Sequence, residues 1–230
     1  MKKLLATTAL VGALALATAA HADVIYTFGT DNLSSSFGAG PFGFLDLHLI
    51  DSTHAQFTFL GNSIPGFKYD FDEMGINLVD TNVAVVGSVS FTLDSFATKT
   101  PSFSVGSGNL DGFGNFVFKE VANPAGASAE MTQASFQLTL TDGTTWANQD
   151  AVLVNSVSPP PYSAGVHLIV NDGVAPSGTT GYTVDSSHCD SGANCPIPTL
   201  FQQNVPEPTS LALLGLGLAG LGFVRRRRAA

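Results

Sequence analysis

From Phe44 to Val170 the apolar side chains recur at every second position, and no stretch keeps a 3.6-residue period long enough for a substantial helix. Leu45, Leu47 and Leu49 alternate with Asp46 and His48, Ala55, Phe57 and Phe59 with Gln56 and Thr58, and Phe67, Tyr69 and Phe71 with Lys68 and Asp70. The pattern returns at Val89-Phe91-Leu93, Phe116-Phe118, Phe136-Leu138-Leu140, Val152-Val154 and Val166-Leu168-Val170. A period of two is what a pleated strand with one buried face requires. Asp111-Gly112, Asp142-Gly143 and Asp172-Gly173 supply turn chemistry between the runs. Roughly ten short strands in one domain predict an all-β fold, an antiparallel β-sandwich or jelly-roll-like domain. The 17 phenylalanines are read as core filling.

Both ends of the chain carry apolar runs with basic flanks. Met1, Lys2 and Lys3 precede the apolar Leu4–Ala17 run, and Ala20-His21-Ala22 is a small-x-small site, so residues 1–22 read as a cleavable signal peptide cut between Ala22 and Asp23. At the other end stand Pro206, Glu207 and Pro208, an apolar run from Leu211 to Val224, and then Arg225, Arg226, Arg227 and Arg228. The prolines fix φ and remove backbone donors, so the segment around Glu207 is expected to be extended and accessible. As a helix, residues 209–224 would reach about 24 Å against a hydrocarbon core of about 30 Å. Runs this short also serve as buried core helices, but this one is read as a single transmembrane helix, with snorkelling arginines and local bilayer thinning making up the length. Gly215, Gly217 and Gly220 spell G-x-G-x-x-G, yet no strand precedes them and no acidic residue follows, so nucleotide binding is excluded. Basic residues at both ends belong on the cytoplasmic side, which places residues 23–204 outside it.

In this order, Pro-Glu-Pro, span and arginine cluster resemble the PEP-CTERM sorting signal of Gram-negative bacteria. The resemblance implies processing by exosortase, a membrane-embedded protease-like enzyme, after export through the Sec translocon. A second resemblance covers Ser107–Val121 (SGNLDGFGNFVFKEV), the following Ser135–Ser156 stretch and Gly165–Asp172. It is similar to an extracellular domain recurring in PEP-CTERM proteins, and it implies no activity.

The exported part, residues 23–204, holds three lysines and no arginine against seventeen acidic residues, a net charge of −14, where the whole chain carries −9. So acidic a domain has no electrostatic grip on phosphates, which argues against nucleic-acid partners and anionic lipid. Cys189 and Cys195 in HCDSGANC are expected to form a disulfide in an oxidising compartment. A zinc site there would need four ligands, and only His188 and Asp190 lie close by.

No G-x-S-x-G or H-E-x-x-H motif is present. His167, between apolar neighbours, reads as an outward strand residue rather than a base. Asp46 and His48 share a strand face, as do Asp70 and Asp72. Such carboxylates could offer oxygens to Ca²⁺, but no calcium-loop pattern surrounds them, so a solvated strand edge is the expectation and no metal, cofactor or catalytic residue is assigned. The reading is a surface or matrix protein with a structural or adhesive role, linked through the PEP-CTERM resemblance to exopolysaccharide or biofilm. A carbohydrate-binding module using Trp146, Tyr162 or Tyr182 is the second reading. A hydrolase with a cryptic site is the third.

Overall fold

The computed structural model describes residues 23–33, 37–123, 129–156, 161–172 and 176–190. They belong to one compact unit spanning His21–Cys195. The strands are β1 (Val24–Asp31), β2 (Gly43–Asp51), β3 (His54–Gly61), β4 (Ser63–Ile64), β5 (Phe67–Ile76), β6 (Val83–Leu93), β7 (Ser102–Leu110), β8 (Gly114–Asn123), β9 (Met131–Leu140), β10 (Ala164–Asn171) and β11 (Pro176–Asp190). All are joined in one antiparallel sheet of order β6-β9-β3-β2-β1-β11-β10-β5-β8-β7, with β4 beside β5. The expected all-β, antiparallel class is therefore present, built on one continuous ladder. A 3₁₀ turn spans Gln149–Ala151, and among the described residues no helix is long and apolar enough to cross a membrane. The predicted signal peptide and transmembrane helix lie outside the described residues.

The ladder curls until its halves face each other. A bridge between Phe71 and Met131 joins β5 to β9, and rings from the two halves meet without ladder pairing between their strands. Phe118 of β8 stacks on Phe136 of β9 at 5.4 Å, and Phe91 of β6 lies 5.5 Å from Phe103 of β7. Alternation explains which side chains fill the space between. Leu45, Leu47, Phe57 and Phe59 are fully buried, and Phe57 and Phe59 both stack on Phe136. Each such ring stabilises the fold by about 1.5–3 kcal/mol through burial.

Two β-bulges reset the alternation. In β5, Glu73 pairs His167 while Phe71 pairs Leu168, leaving Asp72 as the extra residue. Tyr69 and Phe71 face the core before the bulge, and Met74 and Ile76 after it. In β8, Phe116 pairs Gly108 and Lys119 pairs Gly106, so two residues oppose one. Phe116 and Phe118 consequently serve different clusters. Phe118 enters the main core, while Phe116 joins Leu110, Phe113 and Val184 in a satellite cluster. That satellite folds the Asp111-Gly112 hairpin onto the sheet where two glycines open space. A Cβ on Gly75 would lie 2.9 Å from the Phe116 ring, and one on Gly165 would lie 3.0 Å from Leu110 Cδ1.

Some expected elements differ. Val152–Val154 is not a strand: it follows the 3₁₀ turn and contributes one isolated bridge, Leu78 to Leu153. Asp142-Gly143 closes no hairpin; Asp142 instead accepts from the Thr144 amide at 3.0 Å in a turn leaving β9. β1, β7 and β11 were absent from the strand prediction, β7 because Ser102–Leu110 is rich in Ser and Gly and β11 because Ser and Thr mask its alternation.

Candidate functional site

The most chemically concentrated part of the molecule lies where β5, the end of β10 and the residue before β9 converge. Lys68 pairs with Asp94, and its Nζ lies 3.8 Å from Asp70 Oδ1. Asn171 donates from one amide nitrogen to Asp70 Oδ2 at 2.7 Å and to Glu130 Oε2 at 3.1 Å. The Asp94 amide donates to the Glu130 carbonyl at 3.0 Å, and Asp94 Oδ1 caps the Phe96 amide at 2.9 Å. Asp70, Asp72, Glu130 and Asn171 are fully buried. Three acceptors, Asp70 Oδ1, Glu130 Oε1 and Asn171 Oδ1, have no hydrogen-bond partner.

One lysine thus faces three carboxylates in a desolvated place. Burial pushes the Asp70 carboxyl up to about 6, opposed by Lys68 and by the Asn171 hydrogen bond. Burial also raises Glu130, with Asp70 and Asp72 adding repulsion and Asn171 and Lys68 opposing. Both shifts favour the neutral carboxyl, which relieves the surplus negative charge as the pH falls.

The expectation of a solvated strand edge at Asp70 and Asp72 is overturned. β5 is an interior strand, flanked by β10 on one side and by β4, β9 and β8 along the other. Asp72, turned by the bulge, meets His167 Nδ1 at 2.6 Å. His167 does point away from the core, as its neighbours imply, and its ring lies 4.6 Å from Tyr182. Lys119 and Glu73 form an ion pair at 2.8 Å.

Asp46 and His48 do share a face of β2, joined there by Asp23. His48 Nδ1 and Asp23 Oδ1 are 2.5 Å apart. Burial raises the Asp46 carboxyl to about 7, with Asp23 adding repulsion and His48 opposing. The hydrogen bond to Asp23 raises the His48 imidazole against its own desolvation. Sequence reasoning passed over Glu120. It shares the inward parity of Phe118 and Ala122, is fully buried, and has no partner for either carboxylate oxygen. Burial lifts it from 4.5 to about 7. Among the described residues no group of three or more His, Cys, Asp or Glu is gathered closely enough to hold a metal ion.

Of the aromatics proposed for a sugar face, Trp146 stands apart in the main core, while Tyr162 and Tyr182 both pack on the satellite cluster. Trp146 is buried in the main core, with its indole nitrogen unpartnered. Tyr162 packs edge-on against Phe113 at 5.5 Å, and Tyr182 lies against His167. Trp146 thus fills the core and is not offered to a ligand. The Cys189–Cys195 bridge lies outside the described side chains; of the pair, only the Cys189 backbone is described, opposite Ile25 in the β1–β11 ladder. Ala22, Pro206, Glu207, Pro208, Arg225, Arg226, Arg227 and Arg228 lie outside the described residues, and Asp23 stands at the entry to β1.

The fold and this site describe an all-β antiparallel domain with an acidic, partly buried polar cluster, and fold alone does not assign an activity. The tail is more specific: residues 204–228 match the family model of the PEP-CTERM protein-sorting motif, and the chain carries that motif. The motif implies exosortase-dependent sorting to the cell surface. No curated protein matches the chain, and no solved structure does.

Proposed function

We propose that the chain is exported through the Sec translocon, held briefly in the inner membrane by the apolar run of its tail, and released to the cell surface or matrix by exosortase. There the β domain serves a structural or adhesive role associated with exopolysaccharide, without chemistry of its own. The observation that carries this reading is the PEP-CTERM match at residues 204–228. The domain arrangement that goes with it is a signal peptide over residues 1–22, a β domain over 23–204 and a sorting tail over 205–230. A strongly acidic exported domain also suits a hydrated, polyanionic matrix, because like charge keeps it soluble there.

Mass spectrometry of the surface-localised protein from its native host, read at both termini, tests the proposal. The mature chain is expected to begin at Asp23 and to end near Pro206-Glu207-Pro208, without the arginine peptide. Substituting Glu207 is expected to trap the precursor at the inner membrane. Surface protein that keeps Arg225–Arg228 in most copies would reject processing, and uniform release of the Glu207 variant would reject a role for that carboxylate.

A further inference from the structure

The geometry points to a second copy of this chain as the partner of the open β6 edge. β6 ends the ladder, with β9 on one side and no described strand on the other. Exposed sheet edges are ordinarily guarded by lysine, proline or other charge. From Thr81 to Leu93 this chain has no charged residue and no proline, and its one protection is the bulge at Gly87, where φ is +76°. Beside the edge runs an apolar groove of about 430 Å³ lined by Leu78, Val83, Val85, Val105, Val117 and Phe118. Val86, on β6 itself, is 39% exposed, and Val105 and Val117 in the groove are 53% and 45% exposed, so three of the six large exposed apolar side chains among the described residues lie on this side.

Charge and symmetry select the occupant. With three lysines against seventeen acids over residues 23–204, two copies repel across most of their surfaces, whereas β6 itself carries no carboxylate. A two-fold axis normal to the sheet sets β6 antiparallel to itself, the sense of every ladder in this fold, so the edge is its own complement. Eleven residues at about 3.4 Å each extend about 37 Å, and two layers each about 10 Å deep make the side about 20 Å thick, so it covers about 700 Å² per copy. That is close to the roughly 800 Å² per partner of a specific interface.

Sedimentation equilibrium of the full-length chain in detergent tests this. The wild type is expected at the mass of two copies. An Ala84→Lys/Val86→Lys double variant, which places four charges along the paired edges opposite Thr92 and Ser90, is expected at one copy with an unchanged melting temperature. Ile50→Lys on β2, three strands away, is expected to remain at two. A wild type at one copy overturns the proposal. So does a folded double variant still at two copies, which would assign the contact to the terminal segments or another face. Should the double variant fail to fold, amide exchange of the wild type decides: β6 protection that rises with concentration supports the pairing, and protection independent of concentration overturns it.

Discussion

Asp72 and His167 meet at 2.6 Å at the point where the β5–β10 ladder slips by one residue. The slip is what lets β5 bury Tyr69 and Phe71 before it and Met74 and Ile76 after it. Without the extra residue, the later half of the strand would turn Glu73 and Gly75 inward and expose Met74 and Ile76. Losing the burial of those two side chains costs about 1.5–3 kcal/mol each. Deleting Asp72 is therefore expected to destabilise the domain far more than Asp72→Asn. The latter keeps the register and weakens one hydrogen bond to His167 by about 1–3 kcal/mol. Urea unfolding of the two variants compares them, and equal midpoints would mean that the bulge does not set the register.

Trp146 carries opposite expectations as a buried core side chain and as the sugar-binding aromatic that the sequence suggested. Buried in the core, it should cost about 3–5 kcal/mol when truncated to alanine. Trp146→Phe should cost much less, since it also removes an indole nitrogen that has no partner. A Trp146→Ala variant that keeps its melting temperature would return this side chain to the surface.

Gly165 tests the satellite cluster. A methyl group there would stand 2.8 Å from Val184 Cγ1 and 2.9 Å from the Thr183 carbonyl. Because a backbone oxygen cannot swing aside, Gly165→Ala is expected to destabilise by about 1–3 kcal/mol through overpacking. Gly106→Ala, with nothing within 4 Å, serves as the control. Equal melting curves for the two variants would show that the hairpin tip does not rest on the glycines.

How much of this was legible follows from what alternation can carry. β2 and β3 show their inward faces directly, because Leu47 and Phe57 stand between polar neighbours, while in β10 the buried Ile169 beside Leu168 breaks the alternation. β7, whose Gly106 and Gly108 leave no side chain to read, was not visible. Glu120 was legible in principle from its parity with Phe118, although the bulge between Phe116 and Phe118 hid the face change. The polar cluster was not legible. Asn171 lies 101 residues from Asp70 and 41 from Glu130, so the topology alone brings them together. A bulge is one residue long, and hydrophobic patterning cannot register it before pairing is known.

Cations test the cluster from another side. Lys68 already occupies the space beside Asp70 and Asp94, and Asn171 bridges Asp70 to Glu130. Those internal partners take the place that a divalent ion would fill. The melting temperature is therefore expected to be equal in calcium and magnesium at matched ionic strength, with both raising it alike through screening of the acidic surface. A saturable rise with calcium alone, lost in Asp70→Asn, would instead establish a bound ion.

The last prediction concerns pH, and its sign differs from ordinary acid denaturation. Asp46, Asp70 and Glu120 all have folded values raised by burial, to about 7, 6 and 7. Between its unfolded and folded values each group binds more protons in the native state than in the unfolded chain. Raising the pH through that window therefore lowers stability. The contribution is complete below about pH 4 and is lost as the pH climbs to about 7. Glu120 isolates the effect, because burial is its only cause and neither of its oxygens has a partner. A rise from 4.5 to about 7 corresponds to about 3 kcal/mol of differential stability between the two ends of the window. Glu120→Gln removes the titration while keeping the shape. Its unfolding free energy should change less between pH 5 and pH 8 than that of the wild type, by an amount of that order. Urea titrations of both proteins at the two pH values give the comparison, and parallel pH profiles would show that Glu120 stays ionised in the fold.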